Sequence, residues 1–133
     1  MNSKNIFHSL EEIKLIIELH KKEIEKLDQE IGDGDHIFNI QRGIKESLNL
    51  KDELKDQDPG EILKKIGMKI MTTVGGSSGA LFATLLIGMA KKYDSNLSDL
   101  ENIAQMFSSG VDAMKQRGKA DLGEKTMLDV LIP

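Results

Sequence analysis

Cysteine and tryptophan are absent from this 133-residue chain, and proline (two), tyrosine (one) and phenylalanine (four) are scarce. Without cysteine there is no disulfide, no thiolate zinc site and no cysteine nucleophile. No apolar run reaches the roughly 18 residues that a bilayer span requires. The longest, Ala80 to Ala90, is shorter and is interrupted by Thr84 and Gly88. The opening MNSKNIFHSLEEIK has neither an apolar h-region nor a small-residue cleavage site, so no secretory signal is read in it. Positive charge is not in excess either: 18 Lys+Arg against 22 Asp+Glu give a net charge of −4. With so few aromatics, that balance argues against a nucleic-acid partner. The expectation is a cytoplasmic chain with neither nucleic acid nor membrane as partner.

What is present is ordinary for a soluble globular protein, 39% hydrophobic and 30% charged. The length suits one hydrophobic core, so residues 1–133 are read as one domain. Helical periodicity dominates and no strand pattern stands out, which makes the fold class all-α. Leu10, Ile13, Ile17, His20, Ile24, Leu27 and Ile31 recur at steps of three and four, one face of a single long helix. Gly32 stands where that helix would end in a left-handed residue. Ile40, Ile44 and Leu48 predict a second helix over 39–49, followed by a polar connection, Lys51 to Asp58.

Asp58-Pro59-Gly60-Glu61 has the composition of a helix start, with Asp58 as N-cap and Pro59 in the first turn. Ile62, Ile66, Ile70 and Val74 then form a stripe that runs into Gly75-Gly76. Beyond the glycines, Leu81, Leu85 and Met89 predict the buried side of a fourth helix. Ser98 and Glu101 make a capping box for a fifth, which bears Leu100, Ile103, Phe107, Val111 and Met114. From Arg117 the chain reads as a loop, with one or two further turns around Met127, Leu128 and Leu131. Leu128 to Pro133 is apolar and stops abruptly, which leads us to expect a truncated domain.

Chemistry concentrates in Leu27-Asp28-Gln29-Glu30-Ile31-Gly32-Asp33-Gly34-Asp35-His36-Ile37-Phe38-Asn39. Asp28 falls in the last turn of a helix. Asp33 and Asp35 follow two apart, and in an extended segment such residues point to the same side. Three carboxylates in one loop repel one another unless a cation lies between them. A donor set of oxygens alone selects Mg²⁺ or Ca²⁺. The EF-hand pattern fails, because Ile37 stands where its third ligand belongs. Mg²⁺ held by a few aspartates completes its shell with water and phosphate oxygens, which points to a nucleotide. The same residues also suit a solvated turn, with Asp35 capping the next helix.

Val74-Gly75-Gly76-Ser77-Ser78-Gly79-Ala80-Leu81 is the second notable segment. Glycines let successive N–H groups face one point, the following helix adds its positive end, and Ser77 and Ser78 add hydroxyls, so the segment suits a phosphate. No Lys follows as in a Walker A loop. A plain turn between closely packed helices has the same composition. The third segment, Arg117 to Met127, mixes glycines with cations and suits a nucleotide pocket or a solvated loop alike.

Taken together, the three segments resemble the nucleotide-binding L subunit of dihydroxyacetone kinase and the equivalent C-terminal domain of single-chain ATP-dependent kinases. The matching pieces are LDQEIGDGDHIFNIQRG (27–43), GGSSGALFATLLIGMA (75–90) and RGKADLGEKTMLDVLIP (117–133), in the same order and at the same separations. The resemblance implies an antiparallel barrel of amphipathic helices with the nucleotide at one end. Asp28, Asp33 and Asp35 would hold two Mg²⁺ ions. His36, Ile37, Phe38 and Asn39, with Ser77 and Ser78, would contact the phosphates, and Gly118 and Met127 would lie against the adenosine. No catalytic side chain is assigned, since phosphoryl transfer needs positioning and charge neutralisation more than a protein nucleophile.

The family also implies partners. The acceptor, dihydroxyacetone, is carried by a K subunit. ADP is either a resident cofactor recharged by a phosphohistidine carrier (M-type) subunit, or is replaced by exchangeable ATP in the other branch. His36 favours the dihydroxyacetone branch over the related fatty-acid kinases, which have Asp-Gly-Asp-Thr. Ile37 and Phe38 depart from the Gly and small residue usual there, and Ser77 and Ala80 replace Ala and Pro. Family members also continue past Pro133 with helices that close the barrel. A fragment would expose part of its core, so pairing into a homodimer, weak nucleotide binding or inactivity is the alternative expectation: a non-catalytic Mg-nucleotide or partner-binding module.

Overall fold

A computed structural model describes residues 1–132, except the side chain of Ile31. Pro133 and the place of Ile31 on the first apolar stripe therefore lie outside the described residues. Among the described residues eight helices follow in order: α1 (Ser3–Leu19), α2 (Lys21–Ile31), α3 (His36–Leu48), α4 (Lys51–Leu54), α5 (Pro59–Thr73), α6 (Gly76–Ala90), α7 (Asp99–Gly118) and α8 (Leu128–Leu131). No strand occurs among the described residues. The fold is all-α. Among the described residues no helix is long and apolar enough to cross a membrane.

The long helices run up and down beside one another. Lys51 reaches Glu11 at 2.7 Å and the Ser3 hydroxyl donates to the Lys55 carbonyl, so the start of α1 lies at the α4 end of α3. Gly43 of α3 faces Ile70 and Val74 at the end of α5. Gly60 and Gly67 of α5 face Ala90 and Ala83 of α6 respectively, an antiparallel pairing. Gly88 of α6 lies against Gly110 and Ala113 of α7, where Cβ atoms on either glycine would collide with the other helix. The end of α2, the start of α3, the α5–α6 turn and the end of α7 consequently gather at one end of the array.

Two cores hold it together. Phe7, Leu54, Ile62 and Ile66 pack at the α1/α4/α5 end, and Leu85, Val111, Met114 and Leu128 pack between α6, α7 and α8. Local caps start the helices where the sequence places them. The Asp58 carboxylate accepts from the Gly60 and Glu61 amides, and Ser98 and Glu101 form a reciprocal capping box. The Ser98 donors also hold the Glu101 carboxyl below its usual range.

Several expectations are corrected. The helix predicted to run unbroken from Leu10 to Ile31 bends at His20 (φ −97°, ψ 10°), between two segments that both pack on α3. The polar connection holds the one-turn α4, and Leu54 within it is fully buried because it fills the floor of the first core. Gly32 is extended rather than left-handed (φ −122°, ψ −164°). The helix predicted beyond Gly75-Gly76 begins one residue earlier, since Gly76 already opens α6. On α7 the buried face carries Asn102, Met106, Gly110, Val111 and Met114, while Leu100, Ile103 and Phe107 point outward. The reason is Gly110, which lets α7 approach α6 closely and so fixes its rotation. That helix also continues through Arg117 to Gly118 before Lys119 turns left-handed (φ 51°).

Candidate metal and nucleotide site

Asp28, in the last turn of α2, is half-buried, whereas Asp33 and Asp35 are exposed on the turn between α2 and α3. Gly34 at φ 76° supplies the left-handed step that folds the turn back. One carboxylate oxygen from each aspartate lies within 4.8 Å of the others. Asp28 Oδ2 accepts the His36 backbone N–H at 3.2 Å, and Asp33 Oδ1 lies 3.4 Å from the Asp35 N–H. Asp35 occupies the N-cap position of α3, yet its side chain makes no capping bond. The capping reading of Asp35 is thus corrected: Asp28, seven residues earlier, takes that role.

The donor set fits a hard divalent cation. All three groups are carboxylates, and opposite oxygens on Mg²⁺ are about 4.2 Å apart. The three oxygens lie within 4.8 Å of one another, at most about 0.6 Å beyond that span. The positive end of α3 faces the same cluster and moderates its charge.

The first turn of α3 presents mixed surfaces. Ile37 is fully buried, which leaves only its backbone for any ligand, and Phe38 is half exposed. The Lys21 ammonium sits 5.1 Å from the centre of the Phe38 ring. His36 is half-buried. Asn39 is nine-tenths buried; its N–H donates to the Asp35 carbonyl at 3.1 Å, and its side chain makes no hydrogen bond among the described residues.

Across the end of the array, Ser77 and Ser78 lie in the first turn of α6, whose N-cap Gly75 has no side chain to satisfy the free amides. The ideal Cβ positions of Gly75 and Gly76 meet nothing within 4 Å, so this cradle is open. Gly76 has φ 77°, a conformation that aims the chain into α6 and favours glycine. No side-chain hydrogen bond joins either serine to the aspartate turn among the described residues, although the two share an end of the fold.

Gly118 closes α7 beside Leu81, and Met127 packs on the Leu85/Met114/Leu128 core. Between them, Lys115 pairs with Asp121 at 2.8 Å, holding the Asp121 carboxyl below its usual range. Asp129 accepts from the Gly123 and Thr126 amides at 2.6 and 3.1 Å and so shapes this loop. The spacing Thr126 to Asp129 is that of a capping box, the sequence signal that marks this residue. Lys21 carries no such signal, because only tertiary packing sets it over Phe38. An open concavity of about 490 Å³, lined by Lys115, Lys119, Asp121 and Glu124, adjoins this loop rather than the aspartates.

Residues 30–133 match the DAK2 domain model. The chain is similar to the ADP-binding subunit DhaL of the PEP-dependent dihydroxyacetone kinase of Escherichia coli (strain K12), at 44% identity over 108 residues, 80% of this chain and 51% of that protein. It is 38% identical to the corresponding subunit of PEP-dependent dihydroxyacetone kinase 1 of Listeria innocua over 117 residues, 88% of this chain and 59% of that protein. To the triokinase/FMN cyclase of Rattus norvegicus it is 33% identical over 112 residues, 84% of this chain and 19% of that one. The chain thus spans between half and three-fifths of the length of these two subunit relatives.

Proposed function

This chain belongs to the DAK2-domain family, and from that premise we propose that it binds a magnesium–nucleotide as the ADP-binding subunit of a dihydroxyacetone kinase, a cytoplasmic phosphotransferase. The observation that carries the reading is the convergence of Asp28, Asp33 and Asp35, drawn from a helix end and a turn, to within 4.8 Å. Three exposed or half-exposed carboxylates so close together repel one another, and a cation offsets that repulsion. The relatives' names, which specify ADP binding and PEP dependence, support resident ADP over exchangeable ATP.

Two Mg²⁺ ions, when bound, would supply charge neutralisation on the phosphate chain of the nucleotide. Asp28, Asp33 and Asp35 hold them. The free amides in the first turns of α3 and α6, with the Ser77 and Ser78 hydroxyls, orient the phosphates. Asn39, nine-tenths buried at the start of α3, fixes one of their oxygens by its side-chain amide, and His36 lies beside it. Gly118 and Met127 flank the adenosine. No side chain of this chain acts as a nucleophile; its work is to hold the donor still and aimed outward. The acceptor, dihydroxyacetone, is held by a separate K subunit, and a phosphohistidine carrier subunit restores the donor.

A second reading, a nucleotide-binding module without turnover, draws on the partial span of the relatives. One experiment separates the readings. The purified chain is denatured and the released small molecules are identified by mass spectrometry, and the native chain is assayed with a K subunit and the carrier protein. Released ADP with phosphorylation of dihydroxyacetone supports the kinase subunit. Released ADP without turnover supports the binding module, and no nucleotide under any magnesium concentration contradicts both.

A further inference from the structure

Gly32 ends α2 between Ile31 and Asp33, yet its backbone is extended and open to any residue. What the position demands is space. A Cβ on Gly32 would fall within clashing distance of Asp28 Oδ1, 2.8 Å from the Asp28 carbonyl oxygen and 3.1 Å from Asp28 Cγ. The Asp28 carboxylate therefore occupies the room that a side chain at 32 would fill. Its other oxygen, Oδ2, is fixed by the His36 N–H at 3.2 Å. Seated in that space and bonded to His36 on its other side, the carboxylate lies in the cluster with Asp33 and Asp35.

We propose that Gly32 is a positioning residue: the space left by its missing side chain is the slot that aims Asp28 into the cation site. A methyl group there turns the carboxylate out, breaks its bond to His36 and leaves two aspartates where there were three. The inference rests on the cation reading of the cluster. It differs from a requirement for glycine flexibility, because alanine adopts the observed φ and ψ without strain.

The Asp28 carbonyl, which accepts the Gly32 N–H at 2.6 Å, is also crowded by a Cβ. That crowding costs helix-end stability whether or not residue 28 keeps its charge. Metal affinity, by contrast, suffers only while Asp28 has a carboxylate to misplace. The two roles thus separate in a double-mutant cycle.

The test uses the full chain with Mn²⁺ alone as probe, free Mn²⁺ being counted by electron paramagnetic resonance. Wild type is compared with Gly32→Ala, Asp28→Asn and the double variant, with helicity followed by circular dichroism. Position 32 is exposed and outside both cores, so helicity is retained. Gly32→Ala is expected to weaken Mn²⁺ binding by about tenfold, the loss typical when the support of a ligand is removed. The double variant is expected to bind within about twofold of Asp28→Asn, the non-additivity of residues acting through one group. In the metal-free protein, the His36 amide of Gly32→Ala exchanges its proton faster than that of wild type. Wild-type affinity in Gly32→Ala with an unchanged His36 amide overturns the proposal, as does a double variant whose loss is the product of the two single losses. Both of those outcomes leave the cation site itself standing. A wild-type chain that binds no Mn²⁺ overturns the cation reading and this proposal with it.

Discussion

Asp28 Oδ2 accepts the backbone N–H of His36 at 3.2 Å, so a side chain from the last turn of α2 caps α3, while the side chain of the adjacent Asp35 makes no capping bond. The two helices that frame the turn are joined through one carboxylate of the proposed cation site.

Removing that cap has a measurable consequence without any metal. Asp28→Ala is expected to lower stability by about 1 kcal/mol, the cost of a lost N-cap. Asp35→Ala removes the same charge from the cluster but no capping bond, so it is expected to be near neutral. Relief of repulsion is common to both, and the difference in urea midpoints in EDTA isolates the cap. Equal midpoints would contradict the assignment.

Docking of α2 should depend on the cation. No described side chain of α2 is buried, its main packing partner is α3, and its 11 residues are fewer than an isolated helix needs to persist. Bringing Asp28 beside Asp33 and Asp35 opposes docking until a cation is bound. Amide hydrogen exchange over residues 21–31 is therefore expected to slow by about tenfold on adding Mg²⁺, a coupling of about 1.4 kcal/mol. Exchange in α5 and α6 should stay unchanged. Protection confined to 33–36 would show that α2 is already docked.

The α6–α7 crossing predicts a stability effect remote from the site. A Cβ on Gly110 would lie 2.6 Å from Met89 Cγ and 2.7 Å from the Leu85 carbonyl oxygen. Gly110→Ala is expected to cost about 1–3 kcal/mol through forced separation of the helices. The urea midpoint should fall while the slope of the transition holds. An unchanged midpoint would mean that the helices have room to spare.

Features set within a few residues were legible in the sequence. Asp58-Pro59 and Ser98–Glu101 announce their helices because the capping bonds are local. The aspartate segment stands out because glycine and carboxylate alternate, a pattern that bends the chain and concentrates charge. What escaped was decided by neighbours. The bend at His20 keeps hydrogen bonds on both sides, the Ile24 N–H reaching the His20 carbonyl at 3.0 Å, so no helix-breaking residue betrays it. Leu54 looks isolated among charges until Phe7, Ile62 and Ile66 close over it. On α7, Leu100, Ile103 and Phe107 keep helical spacing with the buried Val111 and Met114, yet they face outward because Gly110 sets the rotation. At the site, the Asp28–His36 bond spans eight residues and two helices, beyond what spacing reveals.

The most direct measurement is calorimetric titration of ADP into the full chain, stripped of nucleotide, in Mg²⁺ and in EDTA, for wild type and Asp33→Asn. The account predicts binding by wild type only with Mg²⁺ and a loss of at least about tenfold in Asp33→Asn, with helicity unchanged. ADP binding of equal strength in EDTA, or in the variant, would contradict it.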